Sequence, residues 1–501
     1  MIRPNSSLSR WAVAILLGSA FAAQTHGSDW PRFRGPNGTG ISTDTESLPD
    51  SIAAPETLAW KTPLPGAGVS CPITAGDRIF VTCYSGYGVD RGTPGDMQQL
   101  KRHMVCISAT DGKVLWEKTI DSVLPEDEYS GMGVPEHGYA SHTPVTDGKN
   151  VYGFFGKSGV YAWDLDGNQL WHTSVGTGSD DRAWGSSSSP ILAGNVVVVA
   201  AGPESRAVIG LDAATGKELW KAESDFLGSV WGTPALSVVD DSRTDIVIGA
   251  PSEIWAINPQ SGKLRWYCSA MQTDQFNSSV LVDGGMIYAV EGRGGGSIAI
   301  RGGGKGDVTA DHIAWSGNDS NRFSTPLLYE GRLYLISGGT VKCIKAADGS
   351  EVFQGRLQSS RSGGGQAEAP REQRPPGGPG SPAAPGSPGA PAGPGGQGAP
   401  GQPPGGGRGG FGGFGGFGGG RGGRGGMGGQ DYSSPVMGDG KIFYVSRSGE
   451  LHVLKPSETL EQISSSRITT ETEDFSASPA ISSGRLLIRS SKHLYCFTAK
   501  K

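Results

Sequence analysis

The feature that most constrains this chain is a phrase that keeps returning, in its cleanest form AVIGLDAATGKELW, Ala207 to Trp220. It reads as a strand through Val208 and Leu211, a tight turn in which Gly216 supplies positive φ, and a second strand closed by Trp220. Variants end at Trp116 (VCISATDGKVLW), at Trp171 (VYAWDLDGNQLW) and at Trp266 (IWAINPQSGKLRW), while VKCIKAADGSEVF puts Phe353 in that place. Upstream of each lies another hairpin, such as SPILAGNVVVVAAG before Trp220 and STPLLYEGRLYLISG before Phe353. Each unit therefore predicts four strands.

All-strand units recurring every ~40 to 50 residues predict propeller blades. Their starts are marked by Pro72, Pro144, Pro190, Pro234, Pro326, Pro435 and Pro479, with Ser278-Ser279-Val280 standing in once, which makes eight. The eighth unit runs out of chain after three strands, and TLAWKTPL, carrying Trp60, is an orphan strand near the N-terminus. The expected fold is an all-β, eight-bladed propeller of four-stranded antiparallel blades, closed by that N-terminal strand completing the C-terminal blade. Closure removes the exposed edge of an open stack.

The AxDxxTGxxxW signature resembles the pyrroloquinoline-quinone (PQQ) repeat. That repeat is found in quinoprotein dehydrogenases and in the non-catalytic propeller lipoprotein of the bacterial outer-membrane assembly machinery. The resemblance covers Thr57 to Leu357 and Tyr432 to Lys501. It implies that Trp60, Trp116, Trp171, Trp220, Trp266, Trp315 and Phe353 dock between neighbouring blades. The signature is specific for the repeat and not for the quinone.

The chain divides accordingly. Residues 1–22 read as a secretory signal peptide, with Arg3 and Arg10 before an apolar run and Ala20-Phe21-Ala22 as the cleavage motif. No other stretch approaches a membrane span, so an exported protein, periplasmic or extracellular, is expected. No Cys lies near the cleavage site, which departs from the lipid-anchored relative. Residues 23–56 form a lead-in whose SDWPRFRGPNGTGIS string resembles that of planctomycete-type exported members. Arg32 and Arg34, flanking Phe33, suit an anion; the preferred reading is that the segment is an aromatic plug packed on the propeller. Residues 57–357 hold the closing strand and blades 1–6, and residues 431–501 hold blades 7 and 8.

Between them, residues 358–430 carry 31 of the 83 Gly and 12 of the 33 Pro, with too few apolar side chains to offset the entropy of ordering. Disorder is expected there. With six Arg against two Glu, the segment leaves the rest of the chain at −9 within a total of −5. Arg408, Arg421 and Arg424 are candidates for a loose basic lid or for recruiting an acidic partner. RGG strings bind RNA in other settings, but export argues against nucleic acid.

Loop lengths sort by face. Short turns join first to second and third to fourth strands. The long insertions, Tyr84 to Arg102, Asp121 to Tyr139 and residues 358–430, fall on the other side, which makes it the expected working face. A carboxylate and an aromatic recur there before the innermost strands: Glu136 with Tyr139, Asp181 with Trp184, Asp225 with Trp231, Asp274 with Phe276, Asp319 with Phe323, Asp431 with Tyr432, and Asp474 with Phe475. They suit a cation or basic partner and a stacked ring ligand, or else aromatics packed between blades with acids capping loop amides.

Several chemistries lack their residues. The resemblance implies, for dehydrogenases, a vicinal Cys pair, but Cys71, Cys83, Cys106, Cys268, Cys343 and Cys496 are isolated. Cys71 and Cys83 flank a hairpin turn and are read as a disulfide or as free buried thiols. His137 and His142, beside Glu136, suit a metal less well than two surface loop positions. RGGGKGD, Arg301 to Asp307, lacks the Ser/Thr of a phosphate loop and reads as an enlarged turn. Two functions remain. One is a non-catalytic, monomeric propeller with no cofactor, binding a protein or envelope polymer. The other is a PQQ- and Ca²⁺-dependent dehydrogenase of an alcohol or sugar with Asp181 or Asp274 as base.

Overall fold

Proline at a strand start has no N–H and presses the residue before it into an extended form, so that residue's own N–H must look outside its strand for a partner. The structure is a computed structural model describing residues 29–131, 133–291, 295–321, 323–360 and 431–500. In it the partner is the side chain of the equivalent residue one blade on. The N–H of Cys71 donates to Thr143 (2.9 Å), Thr143 to Ser189 (3.0 Å), Ser189 to Thr233 (3.1 Å) and Thr233 to Ser279 (2.9 Å). Ser279 continues to Thr325 (3.1 Å), Thr325 to Ser434 (2.9 Å) and Ser434 to Ser478 (2.8 Å). The Ser478 N–H completes the circle on the Cys71 sulfur at 3.2 Å.

Around this ring stand eight blades, each built on four antiparallel strands; the strands are consecutive except at the closure and in blades 4 and 5, where a short segment of blade 5 adds a fifth, parallel strand to blade 4. Blade 3 is typical, with Ile191–Ala193, Val196–Ala201, Ala207–Asp212 and Glu218–Glu223 in that order outward. Blade 8 combines Ala480–Ser482, Arg485–Arg489 and His493–Thr498 with Leu58–Pro63 from the other end, and Trp60 lies opposite Cys496. The core lies between blades. Tyr152, Phe154 and Val160 of blade 2 meet Val197, Val199 and Ile209 of blade 3, all at most 1% exposed.

The repeated phrase sets the next layer of blade contacts. Trp60, Trp116, Trp171, Trp220 and Trp315 each give the indole N–H to a carbonyl in the next blade's third turn: Ala109, Leu165, Ala213, Pro259 and Ala346, at 2.8–3.1 Å. The turn glycine lies against the ring. At Gly216, φ is 72° and an added Cβ would sit 2.5 Å from Trp171. Two members of the series depart from this. Blade 5 replaces the turn with an excursion over residues 302–312, so the Trp266 indole turns instead to Asp245 of its own blade at 3.1 Å. Within that excursion Gly306–Asp307 adds in parallel to the outer strand Leu264–Ser269 of blade 4. Phe353 has no N–H and packs 6.5 Å from Tyr334 of its own blade.

The lead-in occupies the turn side of the disc. Trp30 exchanges hydrogen bonds with Thr74, and Arg32 reaches the Pro234 carbonyl at 2.8 Å. Arg34 is 1% exposed and donates to the carbonyls of Thr325, Pro326 and Pro435, on the innermost strands of blades 6 and 7. The plug thus combines an aromatic anchor, the fully buried Trp30, with arginines whose N–H groups satisfy the strand-start carbonyls, while Phe33 is only half-buried. Burial lowers the Arg34 guanidinium to about 9 and Arg32 to about 10. Farther on, Asp44, Leu48 and Asp50 bind the turns of blades 8 and 7.

The long excursions described here, residues 86–100 and 122–139, lie on the opposite side from the lead-in; the blade 5 excursion is the exception and sits with the lead-in. All six cysteines are free and buried. No helix among the described residues is long and apolar enough to cross a membrane. The expected signal peptide and the basic residues Arg408, Arg421 and Arg424 lie outside the described residues.

Replacing Ser189 by Ala leaves the Thr143 N–H buried without its acceptor, at an expected cost of about 1–3 kcal/mol, seen as a lower denaturant midpoint. Cys71→Ser supplies a stronger acceptor to Ser478 and should match or exceed the wild-type midpoint. Equal midpoints for Ser189→Ala and wild type would show that the ring bonds carry no stability.

Candidate functional site

The insertion-bearing face is built on blade 1. Residues 86–100 and 122–139 fold against each other through Tyr84, Tyr87, Tyr129 and Tyr139, with Tyr84 and Tyr139 edge to face at 5.5 Å. Tyr139 gives its hydroxyl proton to the Asp127 carbonyl at 2.6 Å, and burial pushes its phenol well above the ordinary value. The short helix Val134–His137 carries Glu136, which binds Arg91 at 2.5 Å and Arg447 of blade 7 at 2.7 Å. Burial alone would raise Glu136, but the two arginines outweigh it and hold the carboxyl below its usual value. Arg447 also holds Asp474 at 2.6 Å and lies 5.3 Å over the Tyr432 ring.

The other carboxylates of the recurrence are engaged within the protein. Asp181 and Asp225 share Arg206 at 2.8 and 3.3 Å, Asp274 takes Arg182 at 2.7 Å, and Asp319 takes Lys342 at 2.6 Å. Asp431 instead accepts the Tyr444 hydroxyl at 2.5 Å and the Gly338 and Arg447 amides. The aromatics divide in two. Tyr139, Trp231, Phe276 and Phe475 are buried, with Phe276 and Phe475 at 1% exposed. Trp184 stands 5.6 Å from Trp231 beneath Arg182, and Phe323 stacks on Tyr432 at 4.5 Å. Trp231 gives its indole N–H to Gly185 at 2.8 Å.

The histidines correct an expectation. His137 and His142 are not surface loop positions: both ring nitrogens of His137 are engaged, by Ser141 and the Trp184 carbonyl, and His142 is 4% exposed beside Ser186. Burial, with Arg102 and His137 nearby, pushes His142 down to about 3. Behind them is a polar cluster that periodicity did not reveal. Arg102 meets Glu126 at 2.7 Å, and Lys157 lies 3.5 Å from Asp127 and 3.0 Å from the Pro125 carbonyl. Ser186 donates to Glu204, which burial pushes up to about 7. The only sequence sign was charge inside otherwise apolar strand ends, at Arg102 and Glu204.

Among the described residues, one group could ligate a metal, Glu471, Glu473 and His493 on blade 8. The Lys61 ammonium lies 3.5 Å from Glu471 and 4.0 Å from Glu473 and offsets one of the two carboxylate charges.

Residues 41–226 and 101–355 match, in two overlapping stretches, the family described as outer membrane protein assembly factor BamB. The chain belongs to this family. Solved structures share the propeller of this BamB-family chain at low identity. The quinohemoprotein alcohol dehydrogenase of Comamonas testosteroni is 11% identical, with a TM-score of 0.51 over 94% of this chain and 81% of that one. The quinohemoprotein alcohol dehydrogenase ADHIIG of Pseudomonas putida HK5 is 10% identical, with 0.52 over 94% and 80%. BamB from Moraxella catarrhalis is 12% identical, with 0.48 over 90% and 100%. No curated protein matches the sequence.

Arg447→Met frees Asp474 and leaves Glu136 with Arg91 alone, and because these groups are partly solvated the expected loss is about 1 kcal/mol. The sign follows from a carboxyl held low in the fold: that stability is complete above the unfolded value near 4.5 and is lost as the pH falls through the folded one. The variant should therefore trail the wild type in denaturant midpoint at pH 6–7 and converge with it in acid. A gap independent of pH would assign the loss to packing.

Proposed function

We propose that this BamB-family propeller is an exported, non-catalytic scaffold that binds a protein or an envelope polymer through its insertion-bearing face. One observation carries the reading: the two faces are built for different ends. On one, the lead-in fills the channel with Arg34 and binds the turns of blades 7 and 8. The other presents ordered insertions on a rigid frame, where binding residues are best positioned. The family's description as an outer membrane assembly factor supports a place in the envelope.

The alternative is a quinoprotein dehydrogenase. The residues present do not suit PQQ and Ca²⁺. The carboxylates offered as ligands or base, Asp181 and Asp274 among them, already hold Arg206 and Arg182, and no two cysteines adjoin. The structures of quinohemoprotein dehydrogenases share the fold with this chain, and fold alone does not assign chemistry.

Two experiments separate the readings. Purified protein given PQQ and Ca²⁺ should show neither a bound quinone absorbance nor dye-linked oxidation of alcohols or sugars; a stoichiometric quinone band with turnover would establish the enzyme. Amine cross-linking within an envelope fraction should then mark Lys101 and Lys492 on the insertion side. Cross-links confined to Lys113, Lys217 and Lys263, on the turns of the other side, would overturn the assignment of the face.

A further inference from the structure

Residues 122–139 do not rest on blades 2 and 3 through apolar packing alone. Glu126 and Asp127, both at most 8% exposed, reach into a cavity of about 20 Å³, room for a single water. Arg102 enters from the third strand of blade 1, Lys157 from the turn Gly156–Ser158 of blade 2, and Glu204 from the turn Gly202–Ser205 of blade 3. The charges can be counted. Arg102 balances Glu126 and Lys157 balances Asp127, so the cavity is neutral only while the third carboxyl, Glu204, keeps its proton.

The remaining neighbours do not change that count. His142 is neutral and bound to Ser186, His137 is held by Ser141 and the Trp184 carbonyl, and burial keeps both below their ordinary values. Asp180 is buried too; it accepts the Arg182 and Trp184 amides at 2.8 Å and has the Arg182 charge nearby, while burial and the neighbouring Asp127 raise its carboxyl above the ordinary value. Glu204 has one oxygen on Ser186 and the other buried without a partner. Its neighbourhood with Arg102 is direct: a Cβ added at Gly156 would meet Glu204 Oε1 at 3.4 Å, Ser186 Oγ at 3.6 Å and Arg102 Nη2 at 3.7 Å. An ionised Glu204 is thus an uncompensated buried charge whose nearest cation is the one holding Glu126.

We propose that Glu204 is a pH-operated latch for the insertion-bearing face. Neutral, it leaves Arg102 and Lys157 free to hold residues 122–139 against blades 2 and 3; ionised, it draws on Arg102 and loosens them. Burial, acting before the smaller influences of Ser186 and Arg102, places the Glu204 carboxyl at about 7. For an acid raised in the closed form, closure is strongest below the solvated value near 4.5, weakens as the pH climbs toward 7, and is constant above that. The slope approaches tenfold per pH unit between the two values and flattens near each, so the closed state should lose roughly 40-fold between pH 5 and pH 7. The latch acts on the face assigned above to the partner, but its readout needs no partner, so either idea can fail without the other.

The test is hydrogen exchange of the full chain at pH 5 to 8.5, corrected for intrinsic rates and read in peptides within residues 122–139. Wild-type protection should fall roughly 40-fold from pH 5 to pH 7 and then level off, with the outer strand of blade 3 unchanged. Glu204→Gln should keep high protection at every pH. Ser186→Ala removes the donor that favours the ionised form and should move the levelling point to higher pH. Flat wild-type protection, an unaltered profile in Glu204→Gln, or, should that variant fail to fold, an unaltered profile in Ser186→Ala, overturns the proposal.

Discussion

The arrangement depends on one repeated bond, a strand-opening N–H given to the side chain of the next blade's equivalent residue. A propeller blade has no reason of its own to stop sliding along its neighbour, since the apolar contact between sheets is non-directional. The bond supplies direction. It fixes the height of each first strand against the next, and because it runs seven times to hydroxyls and once to a sulfur, it closes only if the eighth blade meets the first. The strand Leu58–Pro63 can then pair with His493–Thr498 in register. Outward of the ring, the indoles of Trp60, Trp116, Trp171, Trp220 and Trp315 repeat the same logic at larger radius.

A closed ring leaves a channel, and the chain treats its two ends differently. At one end the strand-start carbonyls of blades 6 and 7 point at Arg34, which is buried without a carboxylate and is satisfied by carbonyl oxygens. At the other end positive and negative side chains alternate between blades: Arg206 with Asp181 and Asp225, Arg182 with Asp274, Arg447 with Asp474 and Glu136. The carboxylates outnumber the arginines in these pairs, so the rim keeps a negative excess that the pairing reduces without cancelling. Blade 4 shows what happens when the phrase is broken: without a turn in blade 5 to receive it, Trp266 falls back on Asp245, itself held by Arg243 and Arg265, and a strand from blade 5 covers the edge.

Much of the fold was legible because its determinants are local and periodic. A turn with glycine at the left-handed position, a tryptophan four residues on and a Ser/Thr-Pro start announce a blade wherever they occur, and Trp60 announces the missing strand. The site was less legible because its contacts span blades. Glu136 meets Arg447 across 311 residues, and nothing near either in sequence foretells it. His137 and His142 looked exposed because they sit in a loop, yet that loop is packed under its own tyrosines. Glu204 follows an apolar strand and a proline, and its environment is made by residues from blades 1, 2 and 3. In the lead-in the aromatic content foretold the buried Trp30, but not that Arg32 and Arg34 would be spent on strand-start carbonyls.

The central claim is that the strand-opening bond recurs at all eight blade junctions and that the ring is sealed between blades 8 and 1. Residue-resolved native-state hydrogen exchange of the strand-opening amides tests it most directly. The account predicts that Cys71, Thr143, Ser189, Thr233, Ser279, Thr325, Ser434 and Ser478 are among the slowest amides in the chain and exchange together. Exchange at Ser478 orders of magnitude faster than at the other seven would mean that the ring is open at that junction, and would contradict the account.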